Sequence, residues 1–404
     1  MKYVTQTIII VIYLLVCSLT TSAHEKTGEQ TKSFPVSKGG TLDVSVNIGA
    51  IHIKTWEKNE VAVHVSSDEA DEDNDYSAIR IRQKENTIRI TTRENFRPPG
   101  WGEVDIEVSM PVQFNVQLET SAGDITINGN VVGTVEAQTS GGNIGIGSVE
   151  GKVYLESSGG DIMTENIKGD LTLSTSGGNI HVGIVTGVTE VQTLGGDIII
   201  ERAGKNLLAE TSGGNVQIGD VGDDAVVSTS GGDIYLERVG GNASLNTAGG
   251  NIHLKSANGS VIAKTAGGDI HADSIVGSID ARTSAGNIDV LLIPSGTKKS
   301  KLVTSVGDLH LYISEKAKAT ITARNRRQYL GSWRDYDEDI ISSDYKEDTY
   351  DRVGPGREVR ATYTLNGGGQ TITLEASMGN IEILKPESRA YDVKVKWKSK
   401  KKKR

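Results

Sequence analysis

Thr229-Ser230-Gly231-Gly232-Asp233-Ile234-Tyr235-Leu236-Glu237-Arg238-Val239-Gly240-Gly241-Asn242-Ala243-Ser244-Leu245-Asn246 runs straight into Thr247-Ala248-Gly249-Gly250-Asn251-Ile252, a near copy of its own opening. Within this unit Ile234 and Leu236 alternate with Tyr235 and Glu237, and Ala243 and Leu245 alternate with Ser244 and Asn246. Both runs have the period of a half-buried strand. Thr229-Ser230-Gly231-Gly232 reads as one turn and Val239-Gly240-Gly241 as a second. Paired glycines permit positive φ without steric cost, and that is the expected reason for them. The same frame fits Ile162 to Thr175 and Ile270 to Thr283.

Outward from this unit the Gly-Gly-Asx-Ile signature recurs at Asp124, Asn143, Asp161, Asn179, Asp197, Asn215, Asp233, Asn251, Asp269, Asn287 and Asp308. The intervals are 19, then 18 eight times, then 21. A fixed period in this range marks a solenoid, in which each repeat forms one coil stacked on the next. The chain is therefore read as all-β: a parallel β-solenoid, or β-helix, with about 18 residues per coil and irregular terminal coils as caps.

Stacked coils place equivalent residues about 4.8 Å apart. Along the Asx column Asp and Asn alternate without a break. Like charges directly opposite in a sheet repel. Intercalated Asn moves successive carboxylates to about 9.6 Å, beyond the Debye length of about 8 Å at physiological salt. Each Asn amide can also donate to the carboxylates above and below. The column is read as a structural ladder rather than a metal site. The calcium-binding nonapeptide solenoids carry G-G-x-G-x-D-x-U-x, whereas here Asp follows the glycines directly, half the column is Asn, and the second half-coil lacks the acid. The column Thr139, Ser157, Thr175, Thr193, Thr211, Thr229, Thr247, Thr265 and Thr283 is read as stacked hydroxyl and β-branched side chains.

Residues 1–23 read as a secretory signal, with Lys2, the apolar run Ile8 to Val16 and the small-residue end Thr21-Ser22-Ala23. The run is short for a transmembrane helix, and no other stretch is apolar enough to span, so no transmembrane span is expected in the mature chain. Leu14 three residues before Cys17 admits a lipid anchor, against which stands the bulky Val16. Cys17 is the single cysteine, so cleavage after Ala23 leaves no disulfide. The remainder divides into a polar leader (24–33), N-terminal irregular β coils (34–118), the regular solenoid (119–323), an excursion (324–356), a closing coil (357–386) and a basic tail (387–404).

Net charge is −9. The tail carries Lys394, Lys396, Lys398, Lys400, Lys401, Lys402, Lys403 and Arg404, and setting those eight charges aside leaves −17 on the rest. A basic arm on an acidic body suits polyanions. For an exported chain these are envelope phosphates or acidic glycans, not nucleic acid.

The excursion gathers Tyr329, Trp333, Tyr336, Tyr345 and Tyr350 among acids that include Asp337 and Asp339. Aromatic faces beside carboxylates suit a carbohydrate or a cationic ligand, and these residues are the candidate ligand or partner site. Packing over the last coil is the competing reading. Asp335-x-Asp337-x-Asp339 fails as a calcium loop, because Ile340 stands where Gly is needed and Lys346 where Glu is. A further outward column holds His181, Tyr235, His253, His271, Asp289 and His310. Neighbours there could share a metal, but outward positions tolerate many residue types, and a solvated stripe is the expectation.

No catalytic residue is assigned. The sequence offers no isolated carboxylate pair, nucleophile–base pair or phosphate-cradling loop, and a ladder of equivalent acids gives none of them a distinct environment. No cofactor or metal is expected.

Phe34-x-Val36, Leu42-x-Val44, Val104-Asp105-Ile106-Glu107-Val108-Ser109-Met110-Pro111, Leu118-Glu119-Thr120-Ser121-Ala122-Gly123-Asp124-Ile125 and Leu365-Asn366-Gly367-Gly368-Gly369 with Met378-Gly379-Asn380-Ile381 resemble the bacterial "putative adhesin" domain family. That family is a domain-of-unknown-function group similar to autotransporter-adhesin heads. The resemblance spans about residues 34–386. It implies a β-solenoid at the bacterial envelope and carries over no catalytic or binding residue. The expectation is an exported, non-enzymatic adhesin or envelope scaffold whose partners are envelope glycans or other surface polymers. The alternatives are a self-associating structural protein and a glycan-active enzyme.

Overall fold

A computed structural model describes residues 29–67, 79–92, 104–326, 340–353 and 358–388. The described chain is almost entirely strand, and the strands form a parallel β-solenoid, as expected. Each regular coil has two strands on two faces. Ile234–Val239 follows the Gly-Gly-Asx corner and lies on the first face, and Ala243–Asn246 lies on the second. Ile234 pairs with Val216 on one side and Ile252 on the other, one 18-residue step each way. Inward Ile234, Leu236, Val239, Ala243 and Leu245 are buried, and the residues between them face water. This period-two burial repeats in coil after coil, so one dry column of Ile, Val, Leu and Ala runs the length of the stack.

The Gly-Gly-Asx corner is held by three sets of contacts. The hydroxyl of Thr211 donates to the carbonyl of Gly196 in the preceding coil at 2.9 Å and accepts the N–H of Gly214 in its own turn at 3.3 Å. The same pair of bonds recurs at Thr139, Ser157, Thr175, Thr193, Thr229, Thr247 and Thr265. The column is therefore a row of buried staples, more specific than the stacking expected of it. Next, the backbone N–H of each Asx donates to the side-chain Oδ1 of the Asx one coil earlier, as from Asn215 to Asp197 at 2.6 Å and from Asp233 to Asn215 at 3.0 Å. Finally, the Asn amide adds a bond to the same Asp oxygen, at 3.3 Å from Asn215 to Asp197.

The glycines are present for a different reason from the one expected. From Gly142 to Gly286 no second glycine of the pair has φ in the left-handed range. A Cβ on Gly214 would instead lie 2.0 Å from the carbonyl oxygen of Gly196, a full overlap with the coil below. The first glycine is far less crowded: a Cβ on Gly213 would lie 3.3 Å from the Gly195 carbonyl oxygen, a tight contact relieved by a shift of a few tenths of an ångström. Accordingly Ala122, Ala285, Val306 and Met378 occupy that first position, while glycine holds the second throughout.

The opposite bend carries a second, interrupted Asx column. Asn242 N–H donates to Asp224 Oδ1 at 2.7 Å, its amide reaches the same oxygen at 3.1 Å, and Ser260 N–H donates to Asn242 Oδ1 at 2.9 Å. Asp224 in turn donates its N–H to Asn206 Oδ1 at 3.2 Å. With Asp170 accepting from Val188 N–H, the second half-coil does contain acids at its corner, contrary to the sequence reading.

At both ends the chain order and the spatial order part. Gly40–Val46 and Ala50–Trp56 stack directly on Phe114–Thr120 and Ile125–Val132, so the described strands that lie between them in the chain build the outer end. Val104–Pro111 continues the first face in parallel, then Glu60–Ser67 and Glu29–Pro35 close it antiparallel. At the other end Gln370–Met378 and Ile381–Leu384 stack directly on Ser300–Val306 and Leu309–Ile313. The earlier strand Ala319–Asn325 lies outside Gln370–Met378, followed by the antiparallel strands Glu358–Leu365 and Thr349–Val353. The Asx ladder thus passes from Asp308 to Asn380, whose N–H donates to Asp308 Oδ1 at 2.8 Å.

Candidate functional site

On the first face the outward residue two places after each Asx sits between two buried ones, so it is directed to solvent by the pleat alone. Strand register aligns Tyr235, His253, His271, Asp289, His310 and Glu382 in one column over six successive coils. The rings of Tyr235 and His253 stack with centroids 5.0 Å apart, and those of His253 and His271 stack at 4.9 Å. Asp273 bridges the two histidines: its carboxylate lies 2.7 Å from His271 Nε2 and 3.5 Å from His253 Nε2. Below them His310 Nδ1–H donates to Asp289 Oδ1 at 2.6 Å, and His310 Nε2 lies 3.8 Å from Glu382 on the closing coil. His181 belongs to the same column but is separated from Tyr235 by Ile199 and Gln217.

Burial pushes the Asp289 carboxyl upward, but hydrogen bonds from His271 and His310 outweigh it and hold the group below the usual carboxylate range. The Asp289 hydrogen bond raises His310 above the ordinary histidine value, against the opposing effect of burial. The result is a chain of mutually satisfied acids and imidazoles. A carboxylate stabilised in its ionised form is a weak base. Among the described residues no group of three or more His, Cys, Asp or Glu is arranged to hold a metal ion.

Of the aromatic candidates, Tyr345 and Tyr350 are described, and both are half-buried against the core. Tyr345 donates its hydroxyl to the Ile313 carbonyl, and Lys385 Nζ lies 6.0 Å from its ring centroid. Burial, with Asp344 and Glu315 nearby, pushes its phenol up to about 12. Tyr350 lies in Thr349–Val353 opposite Ala361, on the other face. These two tyrosines pack on different faces of the terminal assembly. Tyr329, Trp333, Tyr336, Asp337, Asp339 and the basic residues Lys394 to Arg404 lie outside the described residues.

A second feature had no counterpart in the sequence reading. An open groove of about 450 Å³ runs beside the first face, lined by Val112, Val132, Asn130, Glu150, Lys168 and Ile184. Its polar edge is the Lys168–Glu150 pair at 3.7 Å. The signal available in the sequence was apolar residues at outward places, such as Val132 and Ile184.

The corner is a Gly-Gly-Asx turn repeated every 18 residues, stapled by a buried hydroxyl, on a two-faced parallel stack. Residues 185–332 match the Toastrack DUF4097 family. Toastrack DUF4097 is a domain of unknown function and a β-solenoid. The coils on either side of the matched residues carry the same corner as the coils within them, from Asp124 to Asn380. No curated protein matches the chain. Among solved structures, a "putative adhesin" from Bacteroides fragilis is 19% identical over 58% of this chain and 95% of its own, with a TM-score of 0.34. A "putative lipid binding protein" from Parabacteroides distasonis is 14% identical over 62% and 96%, with a TM-score of 0.32. A "putative cell adhesion protein" from Clostridium sporogenes is 8% identical over 88% and 97%, with a TM-score of 0.20.

Proposed function

We propose that this protein is an exported, non-enzymatic β-solenoid that binds cell-envelope or cell-surface polymers, in adhesion or as an envelope scaffold. The observation that carries this reading is the ordering of its outer faces. Outward side chains stand in columns at one fixed rung spacing of about 4.8 Å, over coil after coil, as in Tyr235, His253 and His271. A periodic flat surface complements an extended polymer or another flat surface, whereas chemistry on a single bond calls for a concave site with convergent groups. The pairing of Asp289 with two histidines supports a non-catalytic role for the most clustered titratable groups. Export rests on the signal-like residues 1–23. The basic tail and the aromatic-acidic excursion supply the proposed polymer contacts.

The test is a binding screen of envelope polymers and glycans against residues 24–404, beside a chain ending at Asp392. Binding that survives loss of the tail and disappears in Trp333→Ala with Tyr336→Ala assigns the contact to the excursion. Binding seen only with the tail, and abolished by moderate salt, assigns it to charge alone. Failure to bind any polymer defeats the adhesion reading and leaves the second one, a self-associating structural protein, which the charge pattern of the second face favours.

A further inference from the structure

The second face has a polarity along its length that the first lacks. Its two outward columns can be followed through the strand register from Glu136 to Lys301 and from Gln138 to Val303. The N-terminal half presents Glu136, Glu156, Glu190 and Glu210. The C-terminal half presents Lys264, Arg282 and Lys301 with one acid, Asp280; Arg282 pairs with Asp280 at 2.7 Å and Lys301 with Glu375 at 3.0 Å within the chain. Between them lie Leu208 and Val226, adjacent in one column. Val226 and, further along, Ile262 are among the exposed large apolar side chains, at 43% and 40%.

We propose that this face pairs with the same face of a second copy, the two stacks running antiparallel about a two-fold axis that lies along the strands between the coils of Leu208 and Val226. Counting rungs outward from that axis fixes every contact. Leu208 of one copy meets Val226 of the other. Thr172 meets Ile262, Glu136 meets Lys301, Glu156 meets Arg282, and the Tyr154 hydroxyl meets Asp280. Within these ten rungs no acid faces an acid and Lys264 faces the neutral Ser174; one rung further out Glu119 would face Glu375, which bounds the matched region. A parallel arrangement, with the two-fold along the stack, exchanges the two columns and would set Glu136 against Gln138, Glu156 against Tyr154 and Lys301 against Val303, so that Arg282 against Asp280 is the one opposite-charge pair it matches. Self-complementarity under a two-fold is the requirement of an isologous dimer. Extent is sufficient as well. Nine rung steps span about 43 Å and an outward strand about 15 Å, so two copies remove roughly 1,300 Å² from water, within the range of specific interfaces. Sheets stacked face to face at about 10 Å leave room for side chains of this size.

This inference goes beyond polymer binding and stands apart from it: it concerns the second face and a second copy. The experiment uses the full chain carrying Cys17→Ser, so that introduced cysteines are the only ones. Sedimentation across a concentration series is expected to show a monomer–dimer equilibrium that weakens with salt. Val226→Arg is expected to raise the dissociation constant at least tenfold, and Gln217→Arg on the first face to leave it unchanged. Glu136→Cys combined with Lys301→Cys is expected to give interchain disulfides under mild oxidation. Glu136→Cys alone is expected to give none, its partner copy lying about nine rungs, or 43 Å, away. A monomer at every concentration overturns the proposal and leaves the face to another occupant. Efficient cross-linking by Glu136→Cys alone, which needs the parallel arrangement, also overturns it.

Discussion

The two bends of each coil solve the same problem with different strictness. At the Gly-Gly-Asx corner, glycine at the second position, a hydroxyl staple and an alternating Asx ladder all recur. At the opposite bend Gly169-Asp170, Lys205-Asn206, Asp223-Asp224 and Gly241-Asn242 take turns, and Val188 interrupts the column. The difference lies in how closely backbones approach and in what lies inside. The strict corner buries a hydroxyl, with Thr211 only 6% exposed, so both of its hydrogen bonds must be made within the protein. The loose bend uses exposed side chains, for which water can substitute.

The largest effect should come from breaking the close approach. Gly214→Ala drives a methyl into the Gly196 carbonyl and is expected to cost about 3 kcal/mol, the upper range for overpacking. Gly213→Ala, one residue away, is expected to change stability by less than about 0.5 kcal/mol. Denaturant unfolding with hydrogen exchange on the flanking coils distinguishes them, and equal losses would refute the close-approach account. Next comes the staple. Thr211→Val keeps the shape but leaves the Gly196 carbonyl and the Gly214 N–H unpaired, and should cost about 1–3 kcal/mol. Thr211→Ser, which restores the hydroxyl already used at Ser157, should recover most of it.

The ladder offers a smaller test. Asn215→Asp places a new carboxylate between those of Asp197 and Asp233, making three in a row, and removes the amide bond to Asp197. A loss of about 1 kcal/mol is expected, for like charges opposite one another on an exposed column. Part of it should return in about 0.5 M salt, as screening shortens the Debye length. Asn242→Ala at the loose bend should do less, about 0.5 kcal/mol or under. If the two bends respond equally, the distinction between them fails.

The joint between Leu309–Ile313 and Ile381–Leu384 adds a pH test. His310 has its folded pKa raised by Asp289. Its contribution is therefore complete below the unfolded histidine value of about 6.5 and lost as pH rises through the folded one. Asp289 is depressed, so its contribution is present above the unfolded carboxylate value of about 3.9 and lost as pH falls through the folded one. Amide protection of Ile381–Leu384 should thus decline as pH climbs past neutrality, and His310→Gln should flatten that decline. Protection that is independent of pH from about 5 to about 9 would show that the column does not hold the closing coil.

The coil period, the inward residues and the two faces were legible because a two-residue pleat and an 18-residue repeat are both local patterns. The reason for the glycines was not, since a short contact between Gly214 and Gly196 is visible only once the coils are stacked. The spatial order of the ends was hidden for a similar reason. The sequence shows that Gln370 to Ile383 restores the repeat, but not that it displaces Ala319–Asn325 from the stack, because the corner signature is interrupted between Asp308 and Asn380 and nothing local marks which strand follows Ser300–Val306. The histidine column could be aligned from spacing alone. Its bridging by Asp273 and its link to Glu382 depend on rotamers and on the displaced end. The second Asx column was missed because the residue before it varies freely.

The alternation of Asp and Asn also sets a quantum for the growth of the rod. Duplicating or deleting a single coil within a gene would bring two aspartates, or two asparagines, onto neighbouring rungs. Duplicating a pair leaves every neighbour as it was. Lineages carrying this corner should therefore differ in length by even numbers of coils, so that heredity counts the molecule in twos although its hydrogen bonds count it in ones.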